Sequence, residues 1–156
     1  MKLHLHDHSS IMKLKLAVVI ASFLFLAEKC SREIQLPDPE LKKIFGKWEW
    51  VQTSGGFAGK IITPAKAGYT EEIEFTKDGL FNKFKSGAIV DRKKYSVTEG
   101  KSVLKHETAY LVSYSVVDSS YKELLLNQSV SFKGNDTLLL SKECFDCFQT
   151  VWLRKK

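Results

Sequence analysis

From Lys47 to the C-terminus the chain is a run of short segments in which apolar and polar residues alternate, separated by turn residues. That period of two is the pattern of a strand with one face inside and one in water. Lys47 to Thr53 puts Trp48, Trp50 and Gln52 on one face, with Glu49 and Val51 on the other. Tyr69 to Thr76 sets Ile73 and Phe75 opposite Glu72 and Glu74, so those two carboxylates point to solvent. Lys77-Asp78-Gly79 is a tight hairpin turn into Leu80 to Lys85. Ser86-Gly87 leads into Ala88 to Thr98, and Glu99-Gly100 turns again into Ser102 to Glu107. Further strands are predicted over Ala109 to Val117, Lys122 to Asn127, Ser129 to Lys133, Thr137 to Lys142 and Phe148 to Arg154, with Gly134-Asn135-Asp136 as a hairpin. The longest helical signal is the one or two turns from Pro39 to Phe45, with Asp38 as cap and Gly46 as stop. The expected fold is therefore all-β: an antiparallel up-and-down meander with a short N-terminal helical turn. A meander of this many strands leaves two edges unless it closes, which favours a small barrel over an open sandwich.

Composition agrees with one globular domain. The 156 residues are 44% hydrophobic and 12% aromatic with 3 prolines and 9 glycines, which excludes disordered, collagenous and polytopic membrane chains. The net charge is +6, but residues 1–29 hold four of the 24 basic and two of the 18 acidic residues, leaving +4 from Cys30 onward. Lysines and glutamates intermix along the strands, so apart from the tail Arg154-Lys155-Lys156 no basic face is concentrated enough for nucleic acid.

The N-terminus reads as an address. Lys13 and Lys15 precede the apolar run Leu16 to Ala27, which is too short to span a bilayer but has the length of a secretory signal core. The run stops just before Cys30 and the polar Ser31-Arg32-Glu33. An apolar run with a cysteine at its polar edge resembles a bacterial lipoprotein signal peptide, although Glu28 and Lys29 stand where small residues are preferred. The resemblance implies cleavage before Cys30 and acyl chains on that residue. Residues 1–29 are thus expected to be a signal segment, with Met12 as an alternative start. His4, His6 and His8 would be discarded with it. Residues 30–40, with Pro37 and Pro39, read as a polar tether, and 41–156 as the barrel domain.

Two distant pieces carry a second resemblance. Gly46-Lys47-Trp48 is a G-x-W at the start of the first strand, and the last strand ends Val151-Trp152-Leu153-Arg154. The pair is similar to the lipocalin arrangement, in which the tryptophan closes the barrel floor and a late arginine packs over its ring. The stretch Gly46 to Tyr69 and the ending S-K-E-C-F-D-C-F-Q-T-V-W-L-R resemble small lipocalin-like lipoproteins of Bacteroidota. The resemblance covers about residues 39–154 and implies Gly46, Trp48 and Arg154 as structural signature residues; it assigns no activity.

Ser54 to Pro64 is the longest irregular stretch and sits where lipocalins carry the loop that lids the barrel mouth. Its Phe57, Ile61 and Ile62, each worth about 1.5–3 kcal/mol when buried, must cover the core, a ligand or a partner. Its glycines do not form a phosphate loop, since no helix and no Lys-Ser/Thr pair follow. Cys144-Phe145-Asp146-Cys147 has C-x-x-C spacing in strand and turn surroundings, which leaves a disulfide, two thiols, or redox or metal chemistry open; in an exported protein a disulfide is the natural outcome. His106 is the lone histidine after Cys30, expected on an exposed strand and without a nucleophile motif around it.

These readings point to a lipid-anchored protein of the bacterial cell envelope, at the outer membrane, that binds a small hydrophobic or amphipathic ligand at the barrel mouth. Trp50, Phe57, Ile61, Ile62, Tyr69 and Phe75 are the candidate ligand-binding residues. The alternative is a structural or interaction module whose barrel is filled by its own side chains. No catalytic residue, cofactor or metal is expected, and the protein is expected to be a monomer attached to the membrane through its anchor.

Overall fold

Period-two alternation builds the sheet as expected, and register closes it. A computed structural model describes residues 33–115 and 127–156. The signal segment, Cys30, the three N-terminal histidines and nearly all of the strand expected over Lys122 to Asn127 lie outside the described residues. The strands are β1 (Gly46–Gly55), β2 (Lys60–Ile62), β3 (Glu71–Phe75), β4 (Leu80–Lys85), β5 (Ala88–Lys101), β6 (Thr108–Ser115), β7 (Gln128–Lys133), β8 (Thr137–Lys142) and β9 (Phe148–Arg154). A 3₁₀ turn, Pro39–Ile44, precedes β1, and a single helical turn, α1 (Pro64–Ala67), precedes β3. From β3 to β9 each strand pairs antiparallel with the next, and β1 pairs with both β3 and β9. The result is a closed eight-stranded meander barrel, with β2 a short spur on the end of β1. Residues 33–156 form a compact unit of their own.

The base of the barrel is closed by the residues of the G-x-W signature. Trp48 is fully buried and donates its Nε1–H to the Ile44 carbonyl at 2.8 Å. Leu41 and Ile44 of the 3₁₀ turn are buried with it. The Arg154 guanidinium carbon lies 4.1 Å from the Trp48 ring centre, and its nitrogens donate to the carbonyls of Lys43, Phe45 and Asn135. Above this floor Phe75 packs edge-on against Tyr95, with ring centres 4.9 Å apart, and Leu138 and Val112 are fully buried.

Three local features differ from the sequence reading. Register slips between Trp50 and Gln52, so a β-bulge at Val51 reverses the faces beyond it. Gln52 therefore pairs with Val151, while Thr53 turns inward opposite Thr150. Ser102 to Glu107 is a turn rather than a strand, and β5 runs straight through Glu99-Gly100 to Lys101. The Glu143 carboxylate, distant in sequence, pins that turn by accepting from the Val103 N–H at 2.6 Å and the Ser102 hydroxyl at 3.2 Å. His106 sits in this turn with φ of 58°, not on a strand. Finally, residues 33–38, expected within the tether, are packed on the barrel. The Ile34 N–H donates to the Lys77 carbonyl, Ile34 and Leu36 lie against the core, and Asp38 accepts from the Tyr110 hydroxyl at 2.7 Å.

Candidate functional site

Strand direction places the β1–β2, β4–β5 and β8–β9 connections at the end of the barrel opposite Trp48. Here the interior is not filled. A cavity of about 410 Å³ opens between the strands. Its lower wall is apolar, made by Ile73, Phe81, Leu140 and Trp152, with Ile62 and Phe148 higher up. Its polar wall carries Thr53, Thr150, Tyr114 and Gln128, and its charged lining is Glu71, Lys83, Lys93 and Lys142.

Each charged side chain continues an inward-facing row. Glu71 is two residues before Ile73, Lys83 two after Phe81, Lys93 two before Tyr95, and Lys142 two after Leu140. Lys83 pairs with Glu71 across the β3–β4 ladder at 2.9 Å, and Lys93 pairs with Asp91 at 3.1 Å. Lys142 makes no ion pair among the described residues. Tyr114 reaches deep into the barrel, stacks edge-on with Phe81 at 4.8 Å and donates its hydroxyl to Gln128 Oε1 at 2.9 Å. Burial raises its pKa well above that of a free phenol, so it stays neutral. Trp152 keeps a buried Nε1–H with no acceptor among the described residues.

Of the six residues singled out from sequence, Ile62 lines this cavity. Trp50 lies in the packed core, stacked on Tyr69 with ring centres 5.8 Å apart, and its Nε1–H is satisfied by Thr53 Oγ1 at 3.0 Å. Phe75 is buried near the base. Phe57 does not fold over the mouth: it is 97% exposed at the tip of the β1–β2 turn, and Ile61 is 49% exposed. The physical reason is that β2 pairs back on β1, with Thr53 opposite Ile62, which makes Ser54 to Pro64 a hairpin instead of a lid. Cys144 and Cys147 form a disulfide with Cα atoms 5.5 Å apart, closing the β8–β9 turn beside this hairpin. The lysines of the mouth were missed because a lysine within an alternating strand reads as a solvent residue. The signal was present: extending the inward row one step past Phe81 or Leu140 reaches Lys83 or Lys142.

Elsewhere, Asp38 accepts a hydrogen bond from the Tyr110 hydroxyl. The Glu40 N–H and then the Tyr110 hydroxyl hold the Asp38 carboxyl below its ordinary value, and the same bond raises the Tyr110 phenol. Burial opposes the charge on Glu143, but hydrogen bonds from Ser129, Val103, Ser102 and Leu104 outweigh it and keep the carboxyl low. Among the described residues no group of three or more His, Cys, Asp or Glu side chains is placed to hold a metal ion. No family of known proteins, no curated protein and no solved structure matches the chain. The closed eight-stranded meander is consistent with a lipocalin-like barrel.

Proposed function

We propose that this is a lipocalin-like binding protein, exported and held at the bacterial cell envelope by a lipid on Cys30, which takes a small hydrophobic or amphipathic ligand into the open end of its barrel. One observation carries the reading: the lower half of the barrel is packed solid from Trp48 to Leu138, while the upper half keeps a cavity of about 410 Å³ over an apolar floor. That volume lies in the range of small-molecule sites, about 300–1,000 Å³. An eight-stranded barrel has room for one small ligand or for its own side chains, and here side chains stop short of the mouth. Burying a ligand's apolar part against Phe81, Leu140 and Trp152 would supply the driving force, and the polar wall would orient it.

Native mass spectrometry of Ser31–Lys156, before and after incubation with an envelope lipid extract, tests this. A reproducible adduct of a few hundred daltons is the expected result. Bare protein under every condition would leave the self-filled structural module as the better account. Export and lipidation are tested separately, by metabolic labelling with a clickable fatty acid in chains carrying Cys30 or Cys30→Ser.

A further inference from the structure

The lining of the cavity says more than that it is apolar. In a barrel interior a charged side chain at the end of an inward row must find a counter-ion or stay in reach of water. Two of the lysines here have counter-ions: Lys83 has Glu71 and Lys93 has Asp91, and in each pair the side chains are at most 35% exposed. Lys142 continues the row Leu138-Leu140, is exposed and so in reach of water at the rim, and has no carboxylate partner among the described residues. Tyr114, the remaining titratable group of the lining, is kept neutral by burial and adds no negative charge. The described lining, counted with Asp91, thus holds three ammonium groups against two carboxylates, an excess of one positive charge over an apolar floor.

We infer that the ligand is a single-chain anion, with its alkyl chain on the floor formed by Phe81, Leu140 and Trp152 and a carboxylate or phosphate head held near Lys142. This rests on the proposed reading of the cavity as a binding site and adds its charge class. The cavity, about 410 Å³, lies toward the small end of ligand sites, which suits one chain and not a two-chain lipid. An anion entering this mouth neutralises the unmatched lysine; a cation would add to the excess, and a neutral alcohol would leave it unmatched.

The test is isothermal titration of Ser31–Lys156 with four probes of equal chain length: decanoate, decyl phosphate, decanol and decylammonium. Decanoate or decyl phosphate is expected to bind at least tenfold tighter than decanol, with decylammonium weakest, and the ratio is expected to shrink as salt is raised. Comparing the two acids tells a carboxylate head from a phosphate head. In Lys142→Glu the ratio of acid to alcohol affinity should fall to near one, whereas Lys142→Arg should keep it, with circular dichroism confirming the fold of both. Equal binding of decanol and decanoate, or a ratio unmoved by Lys142→Glu, overturns the charge assignment and leaves the cavity reading intact. Binding of none of the four overturns both.

Discussion

Arg154, at the last residue of β9, lies over the indole of Trp48, near the first residue of β1, with 4.1 Å between the guanidinium carbon and the ring centre. The two strands are paired, so this contact closes the ring of strands and its floor at the same point. The arginine also binds the ends of neighbouring elements. It donates to the Phe45 and Lys43 carbonyls, where the 3₁₀ turn has run out of internal partners, and to Asn135 in the β7–β8 turn. One side chain thereby holds the plug, the first strand and the last hairpin together.

Removing either partner should open the base. Trp48→Ala deletes a fully buried indole and its bond to Ile44 and is expected to cost about 3–5 kcal/mol. Arg154→Lys keeps the charge but cannot span three carbonyls with one ammonium, and should cost about 1.5–3 kcal/mol. Urea unfolding followed by tryptophan fluorescence measures both. A midpoint for Arg154→Lys equal to that of the parent would show that the guanidinium fork does not hold the plug.

At the other end, Gly55 allows the β1–β2 hairpin to lie against the disulfide turn. A Cβ at this position would stand 2.3 Å from the Cys147 carbonyl oxygen, and its φ is 140°. Gly59 also has positive φ, at 59°, but no atom lies within 4 Å of its would-be Cβ. Gly59→Ala should therefore cost only the backbone strain, about 1 kcal/mol. Gly55→Ala must additionally move backbone and is expected to be several times worse. Thermal melts of the two variants side by side check the ranking, and equal losses would mean that the close approach to Cys147 is easily relieved.

How much of this could be read beforehand follows from which contacts are local. Alternation and turn residues are local signals, and they placed most of the barrel strands, while the Trp48–Arg154 contact was what the resemblance to the lipocalin arrangement implied. The bulge at Val51 is not local, because it is set by register against Val151 on β9. Nor is the Ser102 to Glu107 turn, whose backbone donor is met by Glu143, forty residues away. The exposed Phe57 marks a third limit. An apolar side chain in a glycine-rich stretch suggests a lid, but the pairing of Thr53 with Ile62 makes the stretch a hairpin that leaves Phe57 exposed at its tip.

The Asp38–Tyr110 bond should leave a signature at both ends of the pH scale. The Asp38 carboxyl is held below its ordinary value of 3.8, so its contribution is complete above that value and is lost as pH falls through the lower folded-state value. The Tyr110 phenol is raised above 10.0, so its contribution is complete below pH 10.0 and is lost as pH rises through the higher folded value. Glu143 shares the acid limb, and Tyr95 and Tyr114, both raised by burial, share the alkaline one. Tyr110→Phe is therefore expected to shallow both limbs of the stability profile without flattening either. Urea midpoints measured from pH 3 to 11 decide it, and a profile parallel to the parent's would mean that the bond is not coupled to folding.

The cavity itself can be tested by filling it from within. Thr150 faces the cavity on β9, and its hydroxyl is 3.2 Å from Thr53 Oγ1. Thr150→Val removes that contact, at a cost of about 1 kcal/mol, and leaves the cavity at nearly its present size. Thr150→Phe removes the same contact but sends an aromatic ring into the space, where burial of about 2 kcal/mol of apolar side chain offsets the loss. Thr53 still accepts from Trp50 in both variants, so neither strands a buried donor there. The two proteins should then melt within a few degrees of each other, while the Phe variant loses the ligand adduct and the Val variant keeps it. If the Phe variant retained the adduct at full affinity, the ligand would have to sit outside the barrel, against the exposed Phe57 or Phe145 of the rim. Loss of the adduct in both variants would instead assign binding to the threonine hydroxyl and not to the space around it.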